Sequence, residues 1–394
     1  MNSESSSEAT LSETTLSEST LSNSVVREFI SLESSTGRRN PVGFAPCQGL
    51  YHRPENEHPK IAFIATHYNV DFSEHYLGPY LAKLGYGFLG WNTRFRGNEP
   101  WFILEHALVD IAAGMNWLRE EAGVETIVIL GNSGGGSLMG AYQSQATSPN
   151  VTPLEGMSLP EGFDKLPAAD FYVSLNAHMG RPEVLTDWMD PSVTDEFDPL
   201  AIDQSLNMYN PENGPPYSEA FVEKYRAAQV ARNNRITQWV LDELQRVKAQ
   251  GVSERVFTMQ RVWADLRLMD ATIDPSERPI GVCYAGDAKR ANFDARGIGN
   301  CSSLRSWLSM WSLEYSQCRG ADHLARIDVP SMVIQSLGDC GVFPSDARAI
   351  FGNLGSADKE MTIISGDHYL VEPLQAREMV AQTIHDWLSA RVAL

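Results

Sequence analysis

Short apolar segments alternate with longer amphipathic ones along most of the chain. Runs of strand length, made largely of apolar residues, occur at residues 61–66, 87–91, 126–130, 171–175, 331–335 and 361–364. Continuous runs of this kind are typical of strands that are covered on both faces. Between them, apolar residues recur at helical spacing, as at Leu104, Leu108, Ile111, Met115 and Leu118. The alternation predicts an α/β protein with a mostly parallel central sheet flanked by helices.

The alternation is interrupted between residues 181 and 327. A long helical pattern covers residues 219–250, and a turn-rich piece occupies residues 210–216. We therefore expect residues 181–327 to form a large, mainly helical lid insertion. This insertion would divide the α/β core into residues 25–180 and 328–394.

Residues 1–24 differ in composition from the rest of the chain. They are rich in Ser, Thr and Glu, lack aromatic residues and contain the near-repeat TLSETTLSESTLS. Such a segment buries too little apolar surface to offset the entropy lost on folding. We expect residues 1–24 to be a disordered tail.

The net charge and the hydropathy of the chain limit the kinds of binding partner to expect. Fifty acidic residues against 31 basic ones give a formal net charge of −19. Because phosphate binding needs clustered Lys and Arg, nucleic acid is not an expected partner. No apolar run approaches the roughly 18 residues of a membrane span, so membrane insertion is not expected. The N-terminus has neither the basic nor the apolar region of a secretory signal, and this favours a cytoplasmic protein. A homodimer is an option that the sequence leaves open.

The five cysteines are an odd number, widely spaced and without a C-x-x-C pair. This pattern indicates free thiols and matches neither a disulfide framework nor a zinc site. His67, Asp71 and His75 have the residue types of metal ligands, but their spacing matches no known metal signature. The sequence also contains no phosphate-binding loop and no dinucleotide fingerprint. We therefore expect no metal and no cofactor.

A G-x-S-x-G motif at residues 131–135 lies between an apolar run and a segment rich in small residues. In a strand–turn–helix context this motif forms a sharp turn with the serine at its tip. The glycines are needed because flanking side chains would collide with the crossing strand and helix. Ser133 would then lie beside a helix N-terminus, where free N–H groups stabilise negative charge.

From about residue 47 to residue 394 the sequence resembles the α/β-hydrolase superfamily. In that family a nucleophile, an acid and a base follow one another along the chain, each on a loop after a core strand. The loop LGDCGVFPS after the run at 331–335 is similar to the acid loop, and it places the acid at Asp339. The segment SGDHY after the run at 361–364 is similar to the base loop, with His368 as the base.

The roles that this resemblance implies have a chemical basis. Ser133 is a poor nucleophile until an imidazole, here His368, removes its proton. A carboxylate must hold that imidazole in one tautomer and stabilise its charged form. Asp339 is favoured for this task over its rivals Asp346, which falls in the following helix, and Asp367, which adjoins the histidine.

An oxyanion hole needs two N–H donors. Gly134, which directly follows the nucleophile, is expected to supply one of them. The resemblance places the other in the loop after the first core strand, where relatives often have a His-Gly pair and this chain has His67, Tyr68 and Asn69. The donor position of the family maps to Asn69, with Tyr68 in the place of the glycine, so both are candidate oxyanion residues.

The predicted lid is rich in aromatic residues and methionines. Lids in this fold cover the active site, so we expect some of these side chains to line an apolar pocket near the serine. The candidate substrate contacts are His178, Trp307 and Trp311.

The predicted function is hydrolysis of a small-to-medium hydrophobic carboxylic ester or lactone through an acyl-enzyme intermediate. Two alternatives stay open. A carbon–carbon bond hydrolase uses the same triad, and a non-catalytic ligand-binding protein can keep the fold without turnover.

Overall fold

The computed structural model describes residues 24–33 and 47–392. The tail predicted for residues 1–24 therefore lies, apart from its last residue, outside the described residues. The strands are β1 (Val25–Leu32), β2 (Cys47–Pro54), β3 (Ile61–Ala65), β4 (Gly87–Asn92), β5 (Thr126–Ser133), β6 (Phe171–Ala177), β7 (Val193–Asp195), β8 (Asp198–Ile202), β9 (Val256–Thr258), β10 (Val282–Cys283), β11 (Gly286–Asp287), β12 (Cys301–Ser303), β13 (Ser331–Ser336) and β14 (Lys359–Ile364). The α-helices are α1 (Gly78–Lys83), α2 (Leu104–Glu120), α3 (Gly135–Thr147), α4 (Arg181–Trp188), α5 (Glu219–Ala249), α6 (Ala288–Asn292), α7 (Leu304–Ser306), α8 (Gly320–Leu324), α9 (Pro344–Asn353) and α10 (Ala376–Ser389).

Eight strands form the central sheet in the order β1-β2-β4-β3-β5-β6-β13-β14. The pairs β1–β2 and β2–β4 are antiparallel, and the pairs from β4 to β14 are parallel. The predicted α/β architecture with a mostly parallel sheet is therefore confirmed. The two antiparallel strands β1 and β2 were not predicted, because their mixture of polar and apolar residues lacks the continuous apolar pattern of the core strands.

The sheet is covered on both faces, which explains its continuous apolar runs. On β5, Ile127 and Ile129 belong to one buried cluster, whereas Val128 and Leu130 belong to the cluster on the opposite face. All four side chains are fully buried, as the alternation of side chains along a strand requires. Helix α2 carries the apolar face predicted for it, and each of the five residues named for that face is at most 1% exposed.

The segment between β6 and β13 departs from the predicted helical insertion. Helix α5, 31 residues long, matches the helical pattern at residues 219–250. Much of the remaining segment consists of short helices, loops and the antiparallel pairs β7–β8, β9–β12 and β10–β11.

The part of the segment without long helices contains buried ion pairs. Arg261 Nη2 lies 2.6 Å from Asp190 Oδ2, and Arg267 Nη2 lies 2.7 Å from Asp265 Oδ2. Charged groups buried in this way need close partners. The pair Arg261–Asp190 links two parts of the segment that are 71 positions apart, whereas Arg267 and Asp265 are two positions apart and form a local contact. A hydrophobic periodicity therefore does not reveal the structure of these loops.

Candidate active site

Ser133 occupies a sharp turn between strand β5 and helix α3. Its backbone has a φ of 56°, a left-handed conformation that a residue other than glycine adopts rarely. Strain of this kind persists only where the surrounding structure enforces it, and it is concentrated at functional sites. The turn brings Ser133 to the wall of a cavity, as the sequence motif predicts.

Glycines around Ser133 let three pieces of backbone approach one another closely. A Cβ atom on Gly131 would lie 2.7 Å from the Cα of Gly136, and one on Gly135 would lie 2.2 Å from the carbonyl oxygen of Thr66. Gly136, which lies beyond the five-residue motif, is equally constrained, because its Cβ would come within 2.4 Å of the Cβ of Ala177. Close packing of β3, β5 and α3 therefore fixes the turn.

Asp339 and His368, each on a loop after a parallel strand, are joined by a short hydrogen bond. His368 Nδ1 lies 2.6 Å from Asp339 Oδ2, and both side chains are buried. Asp339 Oδ1 also accepts the backbone N–H groups of Gly341 and Val342, each at 2.9 Å. A carboxylate held this firmly orients the imidazole with Nδ1 as donor, which leaves Nε2 to act as a base.

The rival carboxylates are engaged elsewhere. Asp346 accepts the N–H of Phe343 at 2.8 Å, in a capping arrangement at the start of α9. Asp367 accepts the N–H of Tyr369 at 2.8 Å and helps to close the turn around it. Both carboxylates therefore have local backbone roles.

Tyr284, from the segment between β6 and β13, reaches into this group. Its hydroxyl lies 2.9 Å from Asp339 Oδ1 and 2.9 Å from His368 Nδ1. Burial and the charge of Asp339 raise the pKa of Tyr284 well above its ordinary value, so the hydroxyl stays protonated and donates a hydrogen bond to the carboxylate. Nothing in the sequence around Tyr284 indicates this contact, since the residue lies 55 positions from Asp339 in an irregular segment.

Ser133 and His368 line one cavity of about 380 Å³. The predicted substrate contact His178 also lies on its wall, where burial, together with the neighbouring charges, lowers its pKa well below the ordinary value and keeps the ring neutral. Aromatic side chains that the sequence did not single out, Trp188 and Trp263, form part of the same wall, and their rings stack with centroids 4.7 Å apart.

Trp307 and Trp311 are absent from this wall, contrary to their selection as substrate contacts. Both are fully buried in a π-helical turn, and the indole of Trp307 donates a hydrogen bond of 3.0 Å to Thr237 Oγ1 on α5. The ring of Trp311 packs against the guanidinium of Arg181. Apolar character alone cannot distinguish an aromatic side chain that packs one element onto another from one that lines a pocket.

The two candidate oxyanion residues of the loop after β3 lie in different surroundings. Asn69 lines the cavity, and its side-chain N–H donates to Glu99 Oε2 at 2.5 Å. Tyr68 is fully buried with its hydroxyl 3.0 Å from Ser137 Oγ, and its side chain does not reach the cavity. His67, which the sequence analysis weighed as a metal ligand but did not select as an oxyanion residue, lies directly against Gly134.

Within residues 24–33 and 47–392, no helix has the length and apolar character needed to cross a membrane. Within the same residues, Cys283, Cys301, Cys318 and Cys340 are free thiols.

Comparison with known proteins identifies the fold. No family model and no curated protein matches the sequence. Solved structures do: the α/β hydrolase GrgF from Penicillium sp. sh18 is similar with a TM-score of 0.54 at 12% identity, covering 94% of this chain and 100% of its own. Est1E from Butyrivibrio proteoclasticus, solved with ferulic acid bound, has a TM-score of 0.50 at 10% identity, covering 93% of this chain and 100% of its own. The chain therefore has the fold of the α/β hydrolases.

Proposed function

We propose that this protein is a serine hydrolase that cleaves small-to-medium hydrophobic carboxylic esters or lactones through an acyl-enzyme. One observation carries the proposal. Ser133, on its strained turn, lines the same cavity as His368, whose imidazole is held by Asp339 at 2.6 Å. An alcohol, an imidazole and a carboxylate from three separate loops are the groups that acyl transfer by serine requires.

The first half of the reaction forms the acyl-enzyme. Ser133 Oγ bonds to the carbonyl carbon of the substrate while its proton passes to Nε2 of His368. The electron pair of the carbonyl double bond moves onto its oxygen, which the backbone N–H of Gly134 stabilises. When the carbonyl re-forms, the ester oxygen leaves with the proton from His368.

The second half returns the enzyme to its starting state. Water attacks the acyl carbon and transfers a proton to His368. The bond to Ser133 Oγ then breaks, Oγ takes the proton back, and the carboxylic acid departs. Throughout, Asp339 stabilises the imidazolium that forms at His368 without itself taking up the proton.

The cavity wall supports an apolar substrate of modest size. Trp188 and Trp263 supply flat apolar surface, and a volume of about 380 Å³ is at the lower end of small-molecule sites. These residues belong to the segment 181–327, together with Tyr284, Gly297 and Ile298, which also line the cavity. We propose that this segment serves as the lid, supplying substrate contacts that the core strands do not. The similarity of the fold to Est1E, whose structure holds ferulic acid, is consistent with an aromatic acyl group.

Turnover of p-nitrophenyl esters of graded chain length tests the proposal. We expect the wild-type protein to release nitrophenol and Ser133→Ala to lose this activity by at least about 1,000-fold. The control is Ser148→Ala, which changes an exposed serine at the end of α3 and is expected to retain full activity. A fluorophosphonate should label the wild type at Ser133, as located by mass spectrometry. Equal turnover by wild type and Ser133→Ala would remove Ser133 from the mechanism.

A further inference from the structure

Two side-chain nitrogens converge on Gly134, the residue whose N–H is the first oxyanion donor. A Cβ atom placed on Gly134 would lie 2.6 Å from Nε2 of His67 and 2.6 Å from Nη1 of Arg181. Both residues also line the cavity that contains Ser133. The carbonyl oxygen of a bound ester would therefore lie near two further N–H-bearing groups.

The backbone of the β3 loop determines which nitrogen of His67 carries the proton. The N–H groups of Asn69 and Val70 point at His67 Nδ1, at 3.5 and 3.4 Å. Nδ1 must therefore be an acceptor. Burial, with the charges of Arg181 and His368, lowers the pKa of His67 well below its ordinary value and keeps the ring neutral. A neutral imidazole that accepts at Nδ1 carries its hydrogen on Nε2, the nitrogen that faces Gly134.

Arg181 is a buried cation without a counter-ion in contact. Its side chain is 2% exposed and lies between the rings of Tyr68 and Trp311, 4.8 and 4.7 Å from their centroids. In the described part of the chain it forms no ion pair, and its Nε and Nη2 atoms are enclosed without a hydrogen-bond partner. The oxygens of the nearby Glu99 accept instead from Asn69 Nδ2 and the N–H of Gly299.

Burying a charge without a partner costs free energy, so the unpaired guanidinium of Arg181 is suited to bind a negative charge that forms on the substrate during the reaction. The geometry favours a single oxygen over a substrate carboxylate. A carboxylate binds arginine best through two nitrogens, but Nε and Nη2 of Arg181 are enclosed, and Nη1 is the nitrogen that faces Gly134.

We infer that the second oxyanion donor is the Nε2–H of His67, in place of the backbone N–H of Asn69, and that Arg181 directs a positive charge at the same oxygen. The inference rests on the proposed function. The Asn69 N–H is directed at His67 Nδ1 and so fixes the orientation of the imidazole. The imidazole in turn donates its Nε2–H to the substrate oxygen. Both groups are in position before charge develops on that oxygen, which is the condition for strong stabilisation of a transition state.

Two substitutions at each position test this assignment, with p-nitrophenyl butyrate as the substrate. His67→Phe keeps a planar ring and removes both nitrogens, whereas His67→Gln keeps an N–H donor. Arg181→Met removes the charge, and Arg181→Lys retains it. His323→Phe is the matched control, because His323 is also a buried histidine but lies outside the cavity, with Nδ1 3.1 Å from Ser144 Oγ.

We expect His67→Phe to lower kcat by about 100-fold or more, with KM within about three-fold of wild type, since an oxyanion donor acts in the transition state. His67→Gln should recover part of that loss. Arg181→Met should lower kcat further than Arg181→Lys does. A trifluoromethyl ketone with a propyl group, whose adduct with Ser133 carries an oxyanion, should lose affinity in His67→Phe in proportion to kcat.

The inference is overturned if His67→Phe, folded as judged by circular dichroism, keeps its kcat within about three-fold of wild type. It is also overturned if the whole loss lies in KM, or if the ketone binds as tightly as before. Should His67→Phe not fold, equal values of kcat for Arg181→Met and Arg181→Lys would contradict a role for the positive charge, and a kcat and a ketone affinity in His67→Gln equal to those of the wild type would contradict the role of His67 as a donor. Loss of activity in Ser133→Ala, with full activity in the folded His67 variants, would leave the proposed function intact and refute only this inference.

Discussion

The hydroxyl of Tyr284 lies 2.9 Å from Oδ1 of Asp339, although the two residues are 55 positions apart and belong to different parts of the fold. Asp339 follows a strand of the central sheet, whereas Tyr284 lies between the short strands β10 and β11. The segment proposed as a lid therefore touches the residue that we propose orients the catalytic base. Gly341 makes room for this contact, since a Cβ there would lie 2.3 Å from the tyrosine ring.

Tyr284→Phe removes the hydroxyl and leaves the ring. We expect kcat to fall about 10-fold, equivalent to about 1.4 kcal/mol, because a hydrogen bond to a carboxylate contributes on this scale. KM should change little if the tyrosine acts through Asp339 and His368. Tyr225→Phe is the control, because the hydroxyl of Tyr225 donates to the carbonyl of Ala264 within the same segment. An unchanged kcat in Tyr284→Phe would show that Tyr284 does not position the triad.

Gly135→Ala should destabilise the turn that carries Ser133. The added Cβ would lie 2.2 Å from the backbone oxygen of Thr66, and backbone cannot move aside as a flexible side chain can. We expect a loss of about 1–3 kcal/mol in the free energy of unfolding, measured by urea denaturation. Gly352→Ala is the matched control, since a Cβ on this glycine of α9 would meet nothing within 4 Å. Alanine should there be neutral or stabilising by up to about 1 kcal/mol. Equal effects of the two substitutions would contradict the close packing at Gly135.

Trp263→Ala should shift the preferred acyl chain towards greater length. Trp263 lines both the Ser133 cavity and a neighbouring cavity of about 620 Å³, together with Tyr284 and Gly297. Removing the indole should join them, so kcat/KM is expected to rise for p-nitrophenyl octanoate relative to the acetate, by about 10-fold or more if two or three CH₂ groups gain apolar contact. Trp239→Ala serves as the control, because Trp239 lines a separate groove beside α5. The same chain-length profile in both variants would mean that Trp263 does not limit the site.

His75 should make the fold sensitive to acid. Burial lowers the pKa of His75 to about 3, and its Nε2 lies 3.2 Å from Asn132 Oδ1. In the unfolded chain a histidine takes up a proton near pH 6.5. The unfolded state therefore binds the proton first, and stability present above pH 6.5 is lost as the pH falls from 6.5 towards 3. At pH 4.5 this group alone should cost about 2–3 kcal/mol.

Urea unfolding of the wild type and of His75→Asn at pH 7 and pH 4.5 measures this effect. The difference in unfolding free energy between the two pH values should be smaller in His75→Asn by about 2 kcal/mol, whatever the absolute stability of the variant. His58→Asn, which replaces an exposed histidine in the loop before β3, is the comparison for loss of a histidine elsewhere. An identical pH dependence in wild type and His75→Asn would show that His75 does not carry this part of the acid sensitivity.

The sequence by itself determined the six parallel strands of the central sheet and the order of the candidate catalytic residues. Continuous apolar runs indicated strands covered on both faces, and β5 has that arrangement, with alternate residues in opposite clusters. The glycines around Ser133 indicated a tight turn because glycine is required where backbone segments nearly touch. Asp339 and His368 could be anticipated because the segments that carry them resemble the acid and base loops of the α/β-hydrolase superfamily. These features depend on local pattern and spacing, which a single sequence carries.

Only the tertiary structure decided which side chains meet around the cavity. Trp188 and Trp263 line it while Trp307 and Trp311 pack elsewhere, although all four are tryptophans in the same segment. His67, Arg181 and Tyr284 reach the site from loops and helix starts whose positions depend on contacts made far away in the chain. Hydrophobic periodicity predicts which face of a helix or strand is buried, but it does not predict which residues that face contacts. The physical reason is that a buried ion pair or a ring contact depends on distances between elements, and no local pattern encodes those distances.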